Sequence, residues 1–104
     1  MYYGGIKMIS NQILQSTIDG LKEITQINLH VFDIEGKILA STYGNATEYM
    51  SKVADFAKSS SDNQEAKGCH LYKIYDEGQL EYILVAAGNG NEVQTIGKMA
   101  AFQL

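Results

Sequence analysis

The chain has 104 residues, 45% of them hydrophobic and 19% charged, a balance that suits one globular domain with a real core and excludes a disordered chain or two separate domains. Eight lysines and no arginine stand against twelve acidic residues, giving a formal net charge of −4. Phosphate binding needs clustered cations, so nucleic-acid contact by this segment is excluded from the reading.

Residues 1–9 read as a leader or remnant, with Met8 a second candidate start, and 10–104 as a single sensor or dimerisation domain. MYYGGIKM lacks the basic start and apolar core of a signal peptide, and no apolar run approaches the roughly 20 residues that span a bilayer. The expectation is a cytoplasmic protein with no membrane partner. From Ser10 or Asn11 to about Gln26, the positions Ile13, Leu14, Thr17, Ile18, Leu21, Ile24 and Thr25 recur at three- and four-residue steps. That spacing predicts an amphipathic first helix with one broad apolar face, capped by Ser10 or Asn11. Gly20 inside it costs about 1 kcal/mol against alanine, which marks it for a close approach of helix to sheet.

Ile27 to Thr42, INLHVFDIEGKILAST, predicts a hairpin. Ile27, Leu29 and Val31 alternate with Asn28, His30 and Phe32, the turn is Asp33 to Gly36, and Ile38 to Ala40 rebuild the apolar pattern. After a loop at Tyr43 to Asn45, Asn45 and Glu48 fit a capping box. The helix they open has an inner face of Ala46, Tyr49, Met50, Val53, Ala54 and Ala57. Ser59 to Gly68 reads as a polar loop. A second hairpin follows, Cys69 to Tyr75 and Leu80 to Gly88 around Asp76 to Gln79, its second arm apolar enough for burial on both faces. Asn89 and Glu92 open a last helix, with Val93, Ile96, Gly97 and Ala100 inward. Met99 and Phe102 lie off that stripe, as in a helix that continues towards an output region with a second face for a partner or downstream segment.

No phosphate-binding glycine motif, HExxH, paired CxxC or GxSxG occurs. Gly88-Asn89-Gly90 sets a glycine turn before a helix, but Val93 stands where a dinucleotide fingerprint needs its third glycine, so it reads as a strand-to-helix turn. Cys69 is the only cysteine, which rules out an internal disulfide. Cys69 and His70 are adjacent on a strand and point to opposite faces, so they cannot act as nucleophile and base on each other. His30 could approach His70 across the sheet, yet two histidines are too few for a structural zinc site. No catalytic residue, metal or cofactor is assigned. The candidate small-molecule pocket lies between the sheet and the second helix, lined by Ser41, Thr42, Tyr43, Asn45, Tyr49, His70, Tyr72 and Tyr75.

INLHVFDIEGKILAST and, further on, LVAAGNGNEVQTIGKMAAFQL together resemble the N-terminal sensor domain of CdaR and PucR-type transcriptional regulators, the sugar-diacid-recognition group. The resemblance covers the chain from about Ser10. It implies a PAS-like or profilin-like domain that binds an effector ahead of a C-terminal helix-turn-helix that binds DNA. Those domains carry R-x-G and then H-E-G after the second strand, whereas here Ser41 is followed by TYGNATEYM with neither. With no arginine, bidentate carboxylate recognition has no donor, and the effector is left unnamed. The element order is also similar to roadblock and longin-type modules, which dimerise through a sheet edge and a helix without a ligand. The expected fold is α+β, an antiparallel sheet of about five strands flanked by helices. The expected function is a non-enzymatic regulatory domain, homodimeric through its helices and bound by a small-molecule effector.

Overall fold

The computed structural model describes residues 10–44, 46–66, 68–88 and 91–103. It is an α+β fold with the order α1 (Asn11–Thr25), β1 (Leu29–Phe32), β2 (Ile38–Ser41), a 3-10 turn (Thr47–Tyr49), α2 (Met50–Ala57), β3 (Asn63–Ala66), β4 (Cys69–Asp76), β5 (Gln79–Ala87) and α3 (Asn91–Gln103). The strands form one antiparallel sheet in the order β2-β1-β5-β4-β3. Among the described residues no helix is long and apolar enough to cross a membrane.

β5 occupies the middle of the sheet, and its residues Tyr82 to Ala86 are buried without interruption, as the apolar run predicts. Burial on both sides requires cover on both sides. Leu84 and Ala86 join Leu14, Ile18, Leu29, Val31, Tyr72 and Ala100 in a core beneath α1 and α3. Ile83 and Val85 join Phe32, Val53, Phe56, Cys69 and Leu71 in a second core beneath α2. The period of two along each strand therefore sorts neighbouring side chains into separate cores.

Local chemistry sets the element ends. Ser10 caps α1, its hydroxyl accepting from Ile13 N at 3.2 Å, and Gln26 closes the helix in the left-handed region with its N–H on the Lys22 carbonyl. Asp33 builds the β1–β2 turn by accepting from the backbone of Glu35 and Lys37, both at 2.9 Å. Gly36 adopts φ +91°, and a Cβ there would lie 2.9 Å from the Met50 carbonyl, so this turn is pressed directly against the start of α2. Between β4 and β5, Glu77 and Gly78 both take positive φ, as a two-residue hairpin turn demands.

Four sequence expectations are corrected. The loop predicted over Ser59 to Gly68 contains β3, a strand whose Asn63, Gln64 and Glu65 are exposed, so no apolar alternation announces it. α2 buries Val53 and Phe56 while Met50 is exposed. Ala46, Tyr49, Val53 and Ala57 of the predicted face do pack in or against the second core, so the correction is confined to Met50 and to Phe56, which joins them. α1 does not bury one broad face: Leu14 and Ile18 are buried, but Ile13 and Ile24 are exposed. Gly20 does not touch the sheet either, because nothing lies within 4 Å of its Cβ position. The close approach occurs at Gly97, where a Cβ would meet the Tyr72 ring at 2.6 Å. The predicted caps at Asn45 and Asn89 and the leader fall outside the described residues.

These two helical glycines should respond oppositely to alanine. Gly97→Ala is expected to lower the unfolding free energy by about 1–3 kcal/mol through overpacking against Tyr72. Gly20→Ala, measured in dilute protein, should raise it by about 1 kcal/mol. Urea melts of both variants check the pair, and equal signs would contradict the packing described.

Candidate functional site

The hairpin register brings His30 opposite Ser41, both on the α2 face. His30 Nδ1 and Ser41 Oγ are 2.7 Å apart, and Ser41 Oγ donates to the Tyr43 carbonyl at 3.1 Å while accepting from Tyr43 N at 3.3 Å. A hydroxyl has one proton. With it given to Tyr43, we assign the tautomer in which His30 Nδ1–H donates to Ser41, leaving Nε2 as the lone-pair nitrogen. The Tyr49 ring, at the end of the 3-10 turn, lies against the imidazole with centroids 5.2 Å apart and planes tilted by 37°. Burial pushes the His30 pKa below its ordinary value, and the nearby Glu48 carboxylate partly offsets that. The Tyr49 phenol is pushed up, first by burial and then by Glu48.

Cys69 lies in the same core. Burial pushes its thiol up, Lys52 counters and Glu48 adds to the rise, so the sulfur stays protonated at neutral pH and is a poor nucleophile. His30 and His70 do not approach each other, since they occupy opposite faces of the sheet: His30 pairs with Val85 of the α2 core and His70 with Ala86 of the other. Among the described residues no group of three or more His, Cys, Asp or Glu side chains is placed to hold a metal ion.

The predicted pocket residues divide accordingly. Ser41 and Tyr49 share the α2 face with His30, and Tyr43 is exposed at the rim. Thr42 is a structural tie, its Oγ1 accepting from Leu29 N at 2.9 Å and donating to Asn28 Oδ1 at 3.2 Å. Tyr75 is half-exposed and donates to Asp62 Oδ1 at 3.1 Å, a bond that raises its pKa. Asn45 lies outside the described residues. His70 and Tyr72 belong to the α1/α3 face, so the single pocket bounded by Tyr49 and Tyr72 is corrected to two separate environments.

On that second face Tyr72 is buried, which raises its pKa, and its hydroxyl donates to the Gln94 carbonyl of α3 at 2.7 Å. The His70 ring stacks near it at 6.5 Å. His70 Nε2 is buried with no hydrogen-bond partner among the described residues, and Glu65 Oε2 lies 3.9 Å away. An open groove of about 510 Å³ runs along the outside of α3, lined among the described residues by Gln94, Thr95, Lys98, Met99 and Phe102.

His30 is the residue that sequence reasoning left out of the binding set. Spacing from the turn does not reveal the pair, because His30 stands three residues before Asp33 and Ser41 five after Gly36, and a register shift between Val31 and Phe32 sets them opposite each other. Compared with known protein families and with curated proteins, the sequence matches none.

The depressed His30 pKa predicts an acid-sensitive fold. The unfolded chain takes up the proton first, near pH 6.5, so His30's contribution is complete above that value and is lost as pH falls towards the folded pKa. Urea titrations between about pH 8 and about pH 5 should show stability falling below roughly pH 6.5, less steeply in His30→Gln. Identical pH profiles for the two proteins would contradict the assignment.

Proposed function

We propose that this domain is the non-enzymatic, ligand-sensing part of a cytoplasmic transcriptional regulator, as the resemblance to CdaR and PucR-type sensor domains implies. On this reading it holds a small metabolite beneath the 3-10 turn and α2, and α3 passes the bound state to a DNA-binding region of the same protein. The observation that carries the reading is the polar group under that short cover, where His30, Ser41 and Tyr49 offer an imidazole, a hydroxyl and a phenol in an otherwise apolar core. Their chemistry supports binding over catalysis. The Ser41 hydroxyl proton is committed to a carbonyl, His30 Nδ1 is committed to Ser41, and the Cys69 thiol is held protonated.

A thermal-shift screen against a metabolite library tests the proposal. A specific hit is expected, its shift lost in His30→Ala and Tyr49→Ala and kept in Tyr72→Phe. No hit, or a hit indifferent to the α2-face variants, would overturn it.

A second reading is a roadblock or longin-like dimerisation module without a ligand, and the contrast between the sheet's covered edge at β2 and its open edge at β3 favours it. At β2, the Gln15 side chain donates to the Ser41 carbonyl at 2.7 Å and accepts from Ser41 N at 3.1 Å, covering the outward backbone as a strand would. β3 has no strand on its outer side among the described residues. This reading expects a dimer that Asn63→Pro disrupts, since the Asn63 N–H points out of the sheet, together with a blank metabolite screen.

A further inference from the structure

α1 and α3 lie side by side on one face of the sheet, and each carries apolar residues that this core does not use. On α1 the inner stripe is Leu14 and Ile18, flanked by Leu21. A second stripe, Ile13, Thr17, Gly20 and Ile24, follows steps of four, three and four. Ile13 is 57% and Ile24 82% exposed, and Gly20 has open space over its Cβ position. On α3, Gly97 and Ala100 face the sheet, while Thr95, Met99 and Phe102 follow steps of four and three outside, with Met99 63% and Phe102 91% exposed. Steps of four and three are the seam that one helix presents to another. A glycine in such a seam lets a large side chain or a second backbone come close.

Charge selects the occupant. Exposed Glu23 borders the α1 stripe and exposed Lys98 borders the α3 stripe. Placing α1 against a second α1 would set the acidic pair Asp19 and Glu23 against its like. Placing α1 against α3 of another molecule sets Glu23 against Lys98, and the chain itself carries both halves. A two-fold axis then forms the contact twice.

We infer that the outer face of the α1/α3 layer is a self-association surface, on which the Ile13–Gly20–Ile24 stripe of one copy receives Met99 and Phe102 of a second copy of this chain. It goes beyond the effector reading and does not need it: a blank metabolite screen leaves this surface standing.

Sedimentation equilibrium of the full chain, up to about 100 µM, tests it. A reversible dimer is expected. Ile24→Glu and Phe102→Glu should each raise its dissociation constant at least about tenfold, with unchanged melting of the dilute protein, since both side chains are exposed. Glu23→Lys should weaken the dimer about three- to tenfold, and adding Lys98→Glu should restore it to within about twofold. A monomer throughout, a dimer indifferent to Phe102→Glu but broken by Asn63→Pro, or a charge swap without recovery would overturn the inference.

Discussion

The uninterrupted burial of β5 is the constraint on which the rest of the domain depends. A strand with Tyr82 to Ala86 all buried, at the centre of five, cannot leave either side of the sheet to water. One helix covers one face and two cover the other, and each strand residue is allotted to a core by its parity. That allotment decides the chemistry as well as the packing. His30 and Ser41 meet under α2 because they stand opposite each other in the hairpin, and His70 and Tyr72 are barred from that group because they lie on the other parity of β4.

The two covers are attached differently. α2 is held by the β1–β2 turn, through the backbone contact that Gly36 permits at Met50. At its other end Lys73 bonds the Ser59 carbonyl and lies over the Phe56 ring at 5.1 Å. α3 is seated by Tyr72, whose ring fills the space left by the missing side chain of Gly97 and whose hydroxyl bonds the Gln94 carbonyl. Ala100 is buried in the same core, and Val93 and Ala101 pack against it, so the ring and the hydrogen bond set the position of a helix that apolar contacts also hold.

Much of this was legible in the residues. Alternation marked β1 and β4, the long apolar run marked β5 as central, and the acidic and glycine-bearing turns marked both hairpins. β3 was hidden because an edge strand with Asn63, Gln64 and Glu65 exposed shows no apolar alternation and has only Ala66 packed against a core. On α2 the periodic stripe finds Val53 and Ala57 but not Phe56, which lies one position before Ala57 and fills the same core. Gly20 and Gly97 look alike in the sequence, and only the tertiary neighbours distinguish an open position from one pressed on a ring. The candidate binding residues were of suitable types, and alternation already separated His70 and Tyr72 from Cys69 and Leu71. What alternation could not say is which parity α2 would cover.

The central claim is that the sheet separates two environments, so that Tyr49 and Tyr72 never share a site. A double-mutant cycle on unfolding free energy, with Tyr49→Phe, Tyr72→Phe and the double variant, tests it most directly. Residues in separate cores should give additive effects, agreeing within about 0.5 kcal/mol, whereas a coupling energy above about 1 kcal/mol would contradict the account.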